Sequence, residues 1–241
     1  MGLTTNSVVY AQDFRDISST KQMPLGVRGE TRDGRKYRYA LAGAVTLAPG
    51  KMNVAAVLVA NHTNLLVQTA AAVGADSVRT TFGATAATAD QYADGYLVVN
   101  DSAGEGINYL IRGHGAVASA GVITVNLDDP VKVALTTASE VSLQANPWSA
   151  IVVGPNALAH RSVGVNNVAI TAAFFGWVQT GGDCSVLSDG IITKGAGVIP
   201  SDAVAGGVEI EVAGTVTQRV GYALEPTVDT EYRNIVLTID N

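Results

Sequence analysis

The sequence has little of what many enzymes, disulfide-stabilised folds and membrane proteins depend on. Its 241 residues include one cysteine and three histidines, and charged residues make up 15% of the chain. A single cysteine excludes an internal disulfide, so the fold does not depend on an oxidising compartment. No apolar run approaches the roughly 20 residues of a transmembrane helix, and the first 16 residues lack the pattern of a signal peptide. We therefore expect no membrane contact and no secretory signal.

The sequence also gives little evidence for a metal-binding site or a sugar-binding site. The histidines stand at positions 62, 114 and 160, whereas zinc ligands cluster at short spacings, so we expect no metal site. Aromatic residues make up 6% of the chain, and a sugar-binding groove usually presents several exposed rings. Trp148, Trp177 and the tyrosines of "RKYRY" could serve such a groove, but filling a core or an interface is the commoner role.

The only cysteine lies in "FFGWVQTGGDCSVLSDG" at 174–190, which allows two interpretations. A cysteine nucleophile needs a nearby histidine or helix N-terminus to lower the pKa of its thiol. No histidine is close in sequence, and Asp183 and Asp189 favour the neutral thiol. We therefore interpret Cys184 as a small buried residue on a strand, and Gly181-Gly182 as the tight turn of a hairpin. The hairpin would divide four apolar side chains between core and interface: Trp177, Val178, Val186 and Leu187.

Two pairs of carboxylates have structural explanations. Asp128-Asp129 precede Pro130, and aspartate suits turns because its side chain bonds to local backbone. Glu209 and Glu211 are two residues apart, so they share one face of a strand. No nucleophile, base and orienting group are visible together, and no glycine-rich loop precedes a helix that could bind phosphate. We therefore expect no enzymatic activity, no catalytic residues and no cofactor.

The residues that are abundant favour strands and turns. The chain has 26 glycines and is rich in alanine, valine and threonine, and short strand-like runs alternate with turn sequences. One face of the strand after Asp33-Gly34 would carry Tyr37, Tyr39 and Leu41, and the other Arg38 and Ala40. "TADQYADG" predicts one helical turn with Thr88 as its N-cap. Two further strands are predicted from alternating apolar residues: Ile123, Val125 and Leu127 in the first, and Val131, Val133 and Leu135 in the second.

This pattern predicts an all-β protein with one or two small barrels or sandwiches behind an extended N-terminal arm. We expect the arm at residues 1–34, a β-rich domain at 35–145 and a second β-barrel domain at 146–241. The net charge is −6, which argues against nucleic-acid binding, yet residues 1–40 carry seven bases against four acids. We expect the arm to be mobile in the free protein. The bases of the arm that we expect to contact an acidic partner surface are Arg15, Lys21, Arg28 and Arg32.

Four stretches resemble head decoration proteins, also called capsid cement proteins, of tailed bacteriophages. These are "YADGYLVVNDSAGEGINYLIRGHGAV", "VNLDDPVKVALTTASEVSLQANPW", "FFGWVQTGGDCSVLSDGIITKGAGV" and "RVGYALE" near the C-terminus. The shared features are spacings of glycine and apolar residues over about the last two thirds of the chain. The arm at residues 1–34 lies outside the resembling region.

The resemblance implies a virion structural protein on the outer surface of the capsid, made in the cytoplasm of the host bacterium. Its partner would be the major capsid protein, and it would assemble as a homo-oligomer, with a trimer favoured and a dimer possible. One alternative is a carbohydrate- or receptor-binding β-module of a phage head or tail fibre. A cysteine- or carboxylate-dependent hydrolase ranks last.

Overall fold

The computed structural model describes residues 13–155, 161–214 and 217–240 of the chain. It is all-β, and the chain folds as two compact units. Val57–Asn146 form the second unit, and the described residues before and after that range form the first. In the described part of the chain, no helix is long and apolar enough to cross a bilayer.

Sixteen strands and one short 3-10 helix at Ala60–His62 make up the regular structure of the described residues. The strands are β1 Arg28–Glu30, β2 Lys36–Leu41, β3 Met52–Val54, β4 Leu65–Thr69, β5 Ser77–Thr81, β6 Tyr96–Asp101, β7 Asn108–His114, β8 Val122–Leu127, β9 Glu140–Gln144, β10 Val152–Val153, β11 Ser162–Asn166, β12 Phe175–Leu187, β13 Gly197–Pro200, β14 Val208–Ile210, β15 Gly221–Ala223 and β16 Tyr232–Thr238.

The first unit is a ten-stranded antiparallel sheet. Its main path runs β10-β3-β11-β12-β16-β15-β13-β14, and β2 also pairs with β12 and carries β1 at its other edge. The longest strand, β12, joins the two parts of the sheet because it pairs with β2 and then with β16. Separate apolar clusters lie on β2–β11–β12 and on β12–β16.

The strand β12 shows that the hairpin expected at 174–190 is wrong. Its first part pairs with β2 from Phe175 to Gly181, and its last part pairs with β16 from Gly181 to Leu187. The register shifts between Gln179 and Gly181, and Gly182 has φ +79°. The glycines therefore form an irregularity inside one continuous strand, because each half of the strand has its own pairing partner. The four apolar side chains of this stretch are all buried: Trp177, Val178, Val186 and Leu187.

The second unit is a closed antiparallel barrel with the strand order β4-β5-β8-β7-β6-β9, in which β9 pairs back to β4. Its interior is a packed core of alternating inward side chains, as in other barrels of few strands. On β8, Ile123, Val125 and Leu127 are at most 4% exposed, which confirms the predicted alternation. Closure leaves none of the six strands with a free edge.

Two local predictions in this unit are wrong. Residues 130–137 do not form a strand, since Leu135 makes only an isolated bridge to Ala71 and Val133 is 44% exposed. Residues 88–95 form consecutive turns instead of a helical turn. The amide of Thr88 nevertheless donates to the side-chain oxygen of Gln91 at 3.2 Å, which is one of the two bonds of a capping box.

The two units divide the chain differently from the expected boundaries. Residues 35–56 were assigned to the first β-rich domain, but β2 pairs with β12 and β3 pairs with β10 and β11. These strands therefore belong with the C-terminal residues, and only 57–146 form the barrel. Of the expected arm, residues 1–12 lie outside the described residues, and Arg28–Glu30 form the edge strand β1.

Candidate functional site

The first unit carries an aromatic cluster on one face of β2 and β12. Tyr37, Tyr39 and Trp177 are at most 3% exposed, and Trp177 lies opposite Tyr39 in the strand register. The alternation predicted for β2 is confirmed here, since Tyr37 and Tyr39 point to the aromatic face and Arg38 to the other. Rings at a sheet surface need a cover, and residues 13–27 supply it.

Residues 13–27, called the N-terminal segment below, pack against this cluster through Phe14, Met23, Leu25 and Val27. The ring of Phe14 is stacked on Tyr37 with centroids 4.3 Å apart. Backbone bonds add to this contact, because Ser18 and Phe175 exchange two amide–carbonyl bonds of 2.7 and 3.0 Å. The described part of the expected arm is thus attached to the sheet.

A glycine makes room for the Phe14 ring. A Cβ placed on Gly29 of β1 would collide with the Phe14 ring and come within 3.1 Å of Trp177. The small residue therefore lets the ring reach the aromatic cluster. The sequence alone did not indicate that Phe14 and Gly29 are in contact, because they are far apart in the chain and belong to no common strand or helix pattern.

The four predicted arm bases differ in exposure and pairing. Arg15, Lys21 and Arg32 are exposed, whereas the Arg28 guanidinium pairs with Glu30 at 3.1 Å. Within residues 1–34 the four bases are balanced by four acids: Asp13, Asp16, Glu30 and Asp33. The basic excess of residues 1–40 therefore comes from Arg35, Lys36 and Arg38.

Most of that excess is engaged within the first unit. Arg38 donates to Asp240 through Nε at 2.5 Å and Nη2 at 2.9 Å, and Lys36 donates to the Asp240 carbonyl. Arg35 pairs with Asp33 at 2.8 Å. Partial burial works to raise the pKa of Asp240, but the hydrogen bonds and charge of Arg38 outweigh it and lower this pKa below its ordinary value. The bases of β2 thus hold the C-terminal residues against the sheet.

An open groove lies beside the N-terminal segment, and we call it the Tyr232 groove. Its volume is about 500 Å³, and it is lined by Arg15, Pro49, Gly50, Asn167, Ser185 and Tyr232. A smaller cavity of about 60 Å³ also borders Arg15 and Asn167 and reaches Tyr37 and Arg35. The groove combines one half-exposed aromatic ring, a guanidinium, an amide and a hydroxyl, which suits a polar ligand with an apolar face.

A buried polar network lies next to the groove and includes Cys184. The amide of Asn167 and the hydroxyl of Tyr37 both donate to Gln179 Oε1, at 3.1 and 3.4 Å. The Cys184 thiol is 3.9 Å from Asn167 Oδ1. Burial raises the pKa of Cys184 to about 12. The thiol is therefore neutral at physiological pH and lacks the thiolate that nucleophilic catalysis requires.

The described histidines serve as hydrogen-bonding groups in the barrel. His62 accepts from the Tyr92 hydroxyl at Nδ1 and donates from Nε2 to the Thr85 carbonyl at 2.9 Å. His114 accepts the Tyr92 amide at Nε2, 3.1 Å away, and donates from Nδ1 to the Gly115 carbonyl at 2.8 Å. Because a carbonyl only accepts, Nε2 of His62 and Nδ1 of His114 each carry a proton. Both rings tie barrel loops together.

Of the two glutamates predicted to share a strand face, Glu209 lies on β14 and Glu211 follows its last residue. In residues 13–155, 161–214 and 217–240, no group of three His, Cys, Asp or Glu side chains could hold a metal ion, and His160 lies outside this set. Burial raises the pKa of Glu209, and the charges of Asp202 and Asp189 raise it further. Glu211 pairs with Arg219 at 2.5 Å. Glu209 is therefore partly buried near two aspartates, whereas Glu211 is paired with an arginine.

Comparison of the chain with protein-family models, with curated proteins and with solved structures finds no match. The family expected from the sequence therefore stays a prediction.

Proposed function

We propose that the protein is a bacteriophage virion structural protein that decorates and cements the capsid by binding across subunits of the major capsid protein. The main support is the outer surface, which combines low charge with large exposed apolar side chains. Val45 and Ile191 in the first unit are 66% and 75% exposed, and Val57 and Val73 in the second are 76% and 64% exposed. Where exposed apolar side chains form a contiguous patch, they mark a surface that a partner covers.

Exposed apolar side chains also lie near each other at the β14 edge of the first unit. Ile210 at the end of β14 is 36% exposed, and Val212 two residues later is 60% exposed. The strand β14 pairs with β13, and its single bridge elsewhere joins Val208 to Ser188. An edge of this kind can extend a sheet onto a neighbouring subunit.

The N-terminal segment supplies polar contacts in this proposal. Its apolar side chains are directed to the aromatic cluster, while Arg15 and Lys21 are exposed, as is Arg32 just beyond it. These three bases would meet acidic groups of the capsid, and arginine adds bidentate geometry. Arg28 contributes less than the sequence indicated, since its guanidinium already pairs with Glu30.

Assembly would strengthen attachment. We propose a homo-oligomer, a trimer in preference to a dimer, on the capsid outer surface. Several weak contacts made by one oligomer raise the overall avidity without strong individual contacts. Light scattering of the purified protein at micromolar concentration tests this part, and a monomer there contradicts it.

Attachment to the capsid is tested with phage heads that lack this protein, prepared from the phage that encodes it. Purified protein is added across a salt series, and bound protein is measured after sedimentation. We expect saturable binding that weakens with salt, because exposed charges are screened within about 8 Å at physiological ionic strength. Replacing both Arg15 and Arg32 by glutamine should weaken binding several-fold, whereas Arg28→Gln serves as the matched control. No sedimentation with heads contradicts the proposal.

A further inference from the structure

We propose that the Tyr232 groove binds a sugar carrying a carboxylate, with the pyranose ring against Tyr232 and the carboxylate on Arg15. The groove is in the first unit, and this inference does not depend on capsid attachment. Its volume of about 500 Å³ lies in the range of small-molecule sites, about 300–1,000 Å³. A monosaccharide or disaccharide fits this space.

The aromatic wall of the groove is held in place by backbone. Tyr232 begins β16, lies opposite Leu187 in the register with β12, and is 50% exposed. The ring lies against Gly50, where a Cβ would come within 2.6 Å of it. Gly50 is itself fixed, because its amide donates to the Asn166 carbonyl and its carbonyl accepts from the Leu187 amide. A half-exposed ring with a fixed position offers an apolar platform to the C–H face of a sugar.

The remaining lining residues can recognise the polar groups of such a sugar. Arg15 is exposed, and its backbone amide donates to Asp13 Oδ1 at 2.9 Å. Among the described residues, no acidic side chain forms an ion pair with the Arg15 guanidinium. A planar guanidinium binds a carboxylate through two parallel hydrogen bonds. The combination therefore favours an acidic sugar over a neutral one.

Sugar hydroxyls have two partners in the groove. The Asn167 amide is held by its bond to Gln179 Oε1 at 3.1 Å, so this side chain loses little freedom on binding. The hydroxyl of Ser185 lies on the exposed side of β12. Both side chains line the same groove as Arg15 and Tyr232.

The test measures binding of methyl glucuronide and methyl glucoside to the full chain by isothermal titration or ligand-observed NMR. These probes differ only in having a carboxylate or a hydroxymethyl group. Methyl galacturonide and the methyl glycoside of N-acetylneuraminic acid extend the acidic set. We expect saturable binding of at least one acidic sugar with Kd on the order of 1 mM, the range for so small a ligand. Its neutral counterpart should bind at least about tenfold more weakly.

Variants locate the site. Tyr232→Ala should weaken binding about tenfold or more, whereas Tyr232→Phe keeps the platform and should bind within about threefold of the unchanged protein. Arg15→Gln should remove the preference for the acidic sugar. Tyr222→Ala is the matched control, since Tyr222 is an exposed tyrosine beside Arg219 and outside the groove. The proposal is overturned if no acidic sugar binds saturably, or if Tyr232→Phe and Tyr232→Ala bind equally well.

Discussion

The ring of Phe14 is stacked on the ring of Tyr37, with centroids 4.3 Å apart and planes inclined by 17°. The same Phe14 ring meets Trp177 edge-on at 5.0 Å. Stacked and edge-to-face pairs are both favourable beyond their buried area. This one side chain therefore links the N-terminal segment to β2 and β12. Loss of the segment should consequently lower the stability of the first unit.

Replacing Phe14 by alanine should lower the free energy of unfolding of the first unit by about 2 kcal/mol. This cost is smaller than that of the same change at a fully buried phenylalanine, because Phe14 is only half-buried. Urea unfolding followed by tryptophan fluorescence measures this change. Ile17→Ala is the control, since Ile17 is 39% exposed and should change stability by no more than about 0.5 kcal/mol. Equal stability of the two variants contradicts the anchoring role of Phe14.

Deleting residues 1–34 should also destabilise the first unit, contrary to what a mobile arm would predict. The deletion removes β1 and uncovers Tyr37, Tyr39 and Trp177. Burying aromatic surface is a main source of stability. Calorimetry of the truncated protein tests this, and a melting temperature equal to that of the full chain restores the mobile-arm interpretation.

The contact between Arg38 and Asp240 should depend on pH. The Arg38→Gln change removes a two-point charged hydrogen bond and should cost about 1 to 2 kcal/mol at neutral pH. Because the pKa of Asp240 is lowered in the folded protein, its contribution is present above the ordinary value of 3.8 and is lost as pH falls through the folded pKa. Thermal unfolding at pH 7 and at low pH measures this, with Arg219→Gln as an exposed ion-pair control. A difference that persists undiminished at low pH contradicts the assignment.

The hydroxyl of Tyr92 should stabilise the barrel. Tyr92→Phe leaves the buried His62 Nδ1 without its donor, and an unsatisfied buried acceptor costs about 1 to 3 kcal/mol. Burial raises the pKa of Tyr92 to about 12, so the native barrel should also lose stability as pH rises from about 10 towards 12. Chemical denaturation measures both effects. Tyr96→Phe, on an exposed tyrosine, is the control and should leave stability at neutral pH unchanged.

The Cys184 thiol should resist alkylation in the native protein. It is 3% exposed, and burial raises its pKa to about 12, so little thiolate forms at pH 8. Iodoacetamide should modify it rapidly only after denaturation, as followed by mass spectrometry. Cys184→Ser should keep the fold and cost at most a few kcal/mol, the penalty of burying a hydroxyl. Rapid native alkylation would reopen the nucleophile hypothesis.

The sequence predicted what depends on local pattern. The alternation of Tyr37 and Tyr39, and that of Ile123 and Val125, marks strands whose alternate side chains share one buried face, and both cases are confirmed, although β2 also buries Ala40 on its opposite face. The alternating pattern at Val131–Leu135 predicted a strand that does not form. Val131 and Leu135 are buried in a loop, and their spacing happens to match that of residues on one face of a strand.

Features that depend on distant pairing could not be predicted. Arg38 and Asp240 are 202 residues apart in sequence, and nothing local marks them as partners. The assignment of residues 35–56 to the C-terminal sheet likewise follows from pairing across the inserted barrel. Gly181-Gly182 suits either a turn or a bulge, and the partners of β12 decide between them. The Tyr232 groove combines residues from five separate stretches of the chain and has no sequence motif.

The copy number of this chain in purified particles of the phage that encodes it tests the capsid proposal most directly. Quantitative mass spectrometry of particles purified by density gradient gives the ratio of this chain to the major capsid protein. A decorating protein should be present at a fixed ratio, in tens to hundreds of copies per particle, and should remain after washing at physiological salt. Absence of the chain from intact particles, or a trace amount that washes away, contradicts the proposal.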